Sequence, residues 1–309
     1  MEITEDKMTK ILVVGSINMD LVVRVSHSPK PGETVLGSDF ATFPGGKGAN
    51  QAVAASRMGG EVSMVGRVGM DDFGDGLLQE LVDNQIKTAH VIKDPTAPTG
   101  IAMIAVAHNG ENMIVVASGA NSKVSVEDVN EANSLMSETD IMLVQMECPL
   151  ETVTAAIELA NVHGLPVILN PAPAQSLSKD ILSKVDYLTP NQSELVLLTG
   201  EEDLEEGVQK LHSWGVQNIV VTLGSEGAWV ISKDIDLHLP AYQVTAVDTT
   251  AAGDAFNGAL AVAIAEGEPL LKAVRYGMAA GALATTKRGA QPSLPTREAV
   301  EQFLSKQET

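Results

Sequence analysis

The sequence predicts an α/β protein: a mostly parallel central sheet flanked by helices on both faces, with a small β-sheet lid. Two observations carry the main sheet. Short runs rich in Val, Ile and Leu recur along the chain, and helical patterns separate them. Strands that read as near-continuous apolar runs are buried on both faces, as crossover helices require. The third observation is a break in that rhythm at about 20–43 and 100–119, where strand-like segments follow one another without a helix between. The lid strands belong there, inserted in a single domain spanning 1–309.

Taken in order, Ile11–Gly15 is the first apolar strand, and Asp20–Val25 with Glu33–Phe43 form a β-branched pair. The helix Asn50–Met58, the strand Val62–Gly66 and the helix Asp72–Asn84 follow. Gly100–His108 and Asn112–Gly119 make a second pair, with Asn109-Gly110 as a hairpin signal. A small half-apolar sheet is unstable alone, so the lid is expected to cover the site, a second subunit, or both. The alternation then resumes: strands Ile141–Gln145, Pro166–Asn170, Tyr187–Pro190, Ile219–Thr222 and Ala228–Ile231, with helices Glu151–His163, Glu194–Thr199 and Leu204–Trp214. Three helices close the chain, at Ala252–Glu266, Pro269–Thr286 and Thr296–Lys306.

Composition narrows the function classes. A chain of 309 residues with 44% hydrophobic content can bury a full core. No apolar run approaches the eighteen or so residues of a membrane helix. The acidic start, Met1 to Lys7, lacks the order of a signal peptide, and Met8 is a second plausible start. A formal charge of −20 argues against nucleic acid or an anionic membrane as the main partner. The lone Cys148 excludes an internal disulfide and fits a reducing cytoplasm.

The run Asp248-Thr249-Thr250-Ala251-Ala252-Gly253-Asp254-Ala255-Phe256-Asn257-Gly258 leads from a tight turn into an apolar helical pattern. The N–H groups of Ala252, Gly253 and Asp254 would gather at the helix N-terminus and make an anion site. Asp254 would face the anion it helps to bind, which suits a base acting on a hydroxyl. Its structural alternative is a helix cap. Gly45-Gly46-Lys47-Gly48-Ala49-Asn50-Gln51-Ala52 is a second small-residue turn feeding a helix, and its spacing fails the P-loop pattern. Asn18, Asp20 and Glu147 follow strands at their carboxyl ends, where open α/β sheets bind ligands. Asn191 and Glu194 are either a reciprocal helix cap, a pair converging on hydrated Mg²⁺, or both. The three-glycine dinucleotide fingerprint is missing after the first strand, which excludes hydride chemistry.

These two Gly-rich segments resemble the paired signatures of the ribokinase family of carbohydrate kinases. The resemblance runs from about Ile11 to Phe303 and takes in Gly15–Asp20, Asn191–Glu194, Thr222–Gly227 and Lys287–Ser293 in the family's order. It implies ATP-dependent phosphorylation of the primary hydroxyl of D-ribose, giving D-ribose 5-phosphate. By that resemblance Asn18, Asp20, Gly46, Lys47, Gly48, Ala49, Asn50, Glu147 and Asp254 contact the sugar. Asn191, Thr222, Leu223, Gly224, Ser225, Glu226, Gly227, Gly253, Asp254 and Met278 are assigned to ATP, and Glu194 to Mg²⁺ through water. Asp254 is the implied base, with Ala252 and Gly253 completing the anion hole. Asp248, Thr250, Ala284, Lys287, Gly289 and Ser293 match the positions that bind a monovalent cation, K⁺. A cytoplasmic homodimer joined through the lid is also implied. Met278 departs from the polar or aromatic residue often found near adenine, which weakens the inference about the base more than that about the phosphates. The rival readings are a kinase of another acceptor (deoxyribose, a ketohexose, a nucleoside) and a non-catalytic sugar or nucleotide sensor.

Overall fold

Strand β1 (Lys10–Val14) shows how the layers arise. Its side chains alternate between faces, as a period of two demands. Ile11 and Val13 join one buried cluster, with the helices Lys47–Arg57, Ala252–Ala265 and Leu270–Ala284. Leu12 and Val14 join another, with the helices Leu150–Val162 and Leu204–Ser213. Burying each such aliphatic side chain contributes about 1.5–3 kcal/mol, so both faces of the strand hold helices against the sheet. The structure is a computed structural model and describes residues 8–108 and 112–307. The Asn109-Gly110 turn and the first seven residues lie outside that range.

The remaining strands are β2 (Asn18–Val25), β3 (Asp39–Gly45), β4 (Glu61–Gly69), β5 (Lys87–Asp94), β6 (Gly100–Ala107) and β7 (Asn112–Ala117). Then come β8 (Ile141–Val144), β9 (Val167–Leu169), β10 (Tyr187–Leu188), β11 (Asn218–Thr222), β12 (Ala228–Ile231) and β13 (Asp236–Leu239). The main sheet has nine strands in the order β13-β12-β11-β10-β9-β8-β1-β4-β5. Its pairs are parallel from β11 through to β5, and β12 and β13 are antiparallel at one edge. The lid is a separate sheet in the order β3-β2-β6-β7. Its two antiparallel pairs join along a parallel seam between β2 and β6.

Two sequence expectations need correction. The edge strands β5 and β13 were not anticipated; both mix polar with apolar residues because an edge is only partly covered. The lid strand expected from Glu33 begins only at Asp39. Glu33 is instead spent on a turn, its N–H bonding Lys30 O and its carboxylate accepting from Lys30 N and His27. Among the described residues no helix is long and apolar enough to cross a membrane.

Candidate active site

The loop after β1 and the start of the helix Lys47–Arg57 form one wall of the site. Gly46 has φ 89°, and a Cβ there would lie 2.7 Å from Asn18 N and 2.9 Å from Ile17 Cα. Only glycine lets this turn close on that backbone. A Cβ on Gly45 would land on the Asp20 carboxylate, so a side chain is excluded there too. Glu147 ties the wall to the strand β8: its Oε2 accepts from Ser16 Oγ and, at 3.1 Å, from Lys47 N. Its other oxygen has no partner among the described residues.

Asn18 is buried, and its Oδ1 accepts a 2.7 Å bond from Asn121 Nδ2. That bond fixes the amide so that the Asn18 NH₂ faces outward as a donor. Asn121 in turn is clamped by Ile17 N and Ile17 O at 2.9 and 3.0 Å. Sequence reasoning missed Asn121. It sits in the short 3₁₀ segment Gly119–Lys123, about a hundred residues from its partner, and no local pattern marks it.

Asp254 is buried at the third position of the helix Ala252–Ala265. The cap alternative fails: the N-cap is Ala251, with no side-chain capping bond. Asp254 faces the opposite helix, where its Oδ2 accepts from Asn50 Nδ2 at 2.9 Å and its Oδ1 from Gln51 Nε2 at 3.1 Å. Ala251 has φ 59°, a left-handed conformation that costs a non-glycine residue about 1–2 kcal/mol. This turn leaves the N–H groups of Gly253 and Asp254 without an acceptor among the described residues. The expectation for Ala252 needs correction, because its N–H closes the turn on Thr249 O at 3.3 Å.

Charge concentrates between these walls. Burial, then the Glu147 and Asp254 carboxylates, push Asp20 up to about 7, against the pull of Lys47. Burial works against the charge on Lys47, but Asp254, Glu147, Glu194 and Asp20 outweigh it and raise its pKa. Asn50 Oδ1 is buried without a hydrogen-bond partner among the described residues. Such an acceptor is costly unless a ligand hydroxyl completes it.

Asn191 and Glu194 do form the reciprocal cap: Asn191 Oδ1 accepts from Glu194 N and Glu194 Oε2 from Asn191 N, both at 2.8 Å. The second Glu194 oxygen is uncommitted among the described residues, and burial raises the pKa of this carboxyl. Thr222–Gly227 turns off β11 through a 3₁₀ segment, Gly224–Glu226. A Cβ on Gly227 would overlap Leu239 O, so the turn packs directly on the β13 end. Leu239 and Met278 both line a cavity of about 730 Å³ beside that turn.

Of the residues assigned to the cation, Asp248, Thr250 and Gly289 are joined by hydrogen bonds. Asp248 Oδ1 accepts from Thr250 N and Oγ1 at 3.0 and 2.6 Å, and its Oδ2 from Gly289 N at 3.0 Å. Burial opposes this carboxylate, but those bonds win and hold its pKa down. Ala284 ends the neighbouring helix, and the Ser293 hydroxyl bonds Ala290 O at 2.8 Å. A second cavity of about 630 Å³ runs from this turn to the lid residues Asp20, Ala41 and Ile104.

Known proteins are similar to this chain over nearly its whole length. The pfkB family carbohydrate kinase profile matches residues 8–297. A ribokinase of Haemophilus influenzae is 41% identical over 299 residues, covering 95% of this chain and 98% of that protein. A deoxyribokinase of Salmonella typhimurium is 38% identical over 301 residues, covering 96% and 98%. The solved structure of Arabidopsis thaliana ribokinase complexed with ribose and ATP superimposes with a TM-score of 0.87 at 32% identity, covering 96% of this chain and 99% of that one. Fold, lid and full-length sequence similarity agree, and the chain belongs to the pfkB family of carbohydrate kinases.

Proposed function

We infer that the protein transfers the γ-phosphoryl group of ATP to the primary hydroxyl of D-ribose. The observation that carries this reading is Asp254, a buried carboxylate held by two amides at a helix start whose Gly253 and Asp254 N–H groups are open. Asp254 takes the hydroxyl proton, and the Gly253 and Asp254 amides stabilise charge on the group in transit. Asn18, Asp20, Lys47, Asn50 and Glu147 supply the mixed donors and acceptors that a polyhydroxylated pentose needs. Thr222–Gly227, Asn191 and Met278 receive the nucleotide.

No cluster of three acidic, His or Cys ligands exists among the described residues. Mg²⁺ would be held mainly by ATP phosphates and water, with Glu194 as the nearby protein carboxylate, and would neutralise phosphate charge. K⁺ suits the Asp248 turn and the 284–293 loop, which the Asp248 carboxylate already joins. A second copy of the chain covers the outer lid face, where Met103, Met113 and Val115 are exposed. The cytoplasm is the proposed compartment, in keeping with the lone, buried Cys148.

A panel of sugars with ATP and Mg²⁺, followed by ADP release, tests the reading. D-Ribose is expected to exceed 2-deoxyribose in kcat/KM by roughly tenfold or more, since each buried polar group left unpaired costs about 1–3 kcal/mol. A preference for 2-deoxyribose would move the assignment to the deoxyribokinase-like alternative.

A further inference from the structure

We propose that Gln51 is a positioning residue for phosphoryl transfer, the centre of a buried amide chain that aims Asp254. Gln51 is fully buried on the helix Lys47–Arg57. Its Nε2 donates to Asp254 Oδ1 and to Asn170 Oδ1, both at 3.1 Å. Its Oε1 accepts from Gln145 Nε2 at 2.7 Å. The Asp254 carboxylate, an acceptor only, settles the direction of the Gln51 amide, and the Gln145 bond agrees with it. If the Gln51 amide flipped, its carbonyl would face two acceptor oxygens, and its NH₂ would face a donor.

Asp254 therefore meets an N–H on each oxygen, from Asn50 and from Gln51, and its plane cannot rotate without losing one of them. The chain also reaches the anion-binding turn. Asn170 donates to Thr189 O at 3.3 Å, Thr189 Oγ1 donates to Asn257 Oδ1 at 2.7 Å, and Asn257 Nδ2 donates to Gly253 O at 2.8 Å. Base and anion turn are thus registered to one scaffold. Close helix packing makes the reach possible: a Cβ on Gly258 would lie 2.5 Å from Ala54 Cβ and 2.9 Å from Gln51 O. Gln51 touches neither sugar nor nucleotide in this arrangement and acts through Asp254.

The proposal rests on Asp254 being the base, so its test separates the two ideas. Asp254→Asn alone examines the base: near-normal turnover there removes the role and the proposal with it. Given an impaired Asp254→Asn enzyme, Gln51→Leu is expected to lower kcat about tenfold or more, the scale of one hydrogen bond to a charged group, while KM for ribose stays within about threefold. In the Asp254→Asn background the same change should cost less than about threefold further, because the base that the bond aims is gone. A loss seen only in KM, or losses that simply multiply in the double variant, would overturn the proposal. Should Gln51→Leu fail to fold, Gln145→Met removes only the bond that holds the carbonyl end of the Gln51 amide. It is expected to lower kcat about threefold, with the same disappearance in the Asp254→Asn background; unchanged kcat would overturn the orienting chain.

Discussion

The catalytic corner and the lid are each unfinished, but in opposite ways. Around Asp254 the interior holds polar atoms in excess of their partners: Asn50 Oδ1 and Gln145 Oε1 are buried without one among the described residues. On the lid, β7 leaves every residue exposed, and four of the six are Met, Ile or Val. A buried acceptor is completed by a small polyhydroxylated molecule, whereas an exposed apolar strand is completed by another apolar surface. One chain thus advertises a polar ligand on one side of a sheet and a protein partner on the other.

The largest effect expected on the corner comes from Asp254→Asn. Both amide contacts can persist in part, so sugar and nucleotide should still bind, with turnover lower by about 10²–10⁴-fold, the scale of losing a general base. Steady-state rates together with ligand titration check both halves. Retained turnover would reduce Asp254 to a packing partner of Asn50 and Gln51.

Asp20 measures what the corner costs the fold. Its pKa is raised to about 7 by burial and by Glu147 and Asp254, above its unfolded value. A carboxyl with a raised folded-state pKa contributes stability below the unfolded pKa and loses it as pH rises through the folded one. Without ligand, wild type should therefore lose about 2 kcal/mol between pH 5 and pH 8 relative to Asp20→Asn, which cannot ionise at this position. Urea titrations at the two pH values supply the comparison. Parallel stability profiles would mean that Asp20 ionises as freely in the fold as in water.

For the lid, Val115→Glu places a charge on the exposed face of β7 opposite the one on which Ile114 lines the cavity with Asp20 and Ala41. The partner copy should dissociate in sedimentation analysis, and KM for the sugar should rise by roughly threefold to tenfold as the lid loses its support. A monomeric wild type would remove this half of the comparison altogether.

Legibility in the sequence followed the same division. The parallel sheet was readable because central strands such as Leu12–Val14 must be apolar on both faces. The edge strands β5 and β13 were not, since partial exposure permits His90, Lys93 and Asp236 and erases the signal. In the site, Gly46, Asn50 and Asp254 stood out because they fall in small-residue runs that lead into helices, and Asn18 through the family resemblance. Asn121, Gln145 and Asn170 did not. Each is an ordinary polar residue whose meaning comes from a partner about ninety to a hundred and twenty positions away. Ala252 was misread for a local reason: the left-handed Ala251 folds its N–H back toward Thr249, a conformation that composition does not announce.

The smallest expected effect lies between the two regions, at the turn that faces both. Asp248 accepts from Thr250 on one side and Gly289 on the other, so its carboxylate already joins the start of the catalytic helix to the 287–293 loop. Gly289 in turn packs under the lid, where a Cβ would come 3.1 Å from the Phe43 ring. With that framework in place, a bound cation would adjust the geometry more than create it. Most of the proposed ligands are main-chain carbonyls, and K⁺ sheds its water for such ligands more cheaply than Na⁺ does. Replacing Na⁺ by K⁺ at constant ionic strength should therefore raise kcat severalfold through the aim of the Gly253 and Asp254 amides, a term that electrostatic preorganisation makes sensitive to small displacements. Asp248→Ala should flatten the response and lower the rate in both salts, since it removes the protein's own bridge as well. Equal rates in K⁺ and in K⁺-free Na⁺ would show that the three hydrogen bonds of Asp248 suffice, and that the turn before Asp254 supports itself.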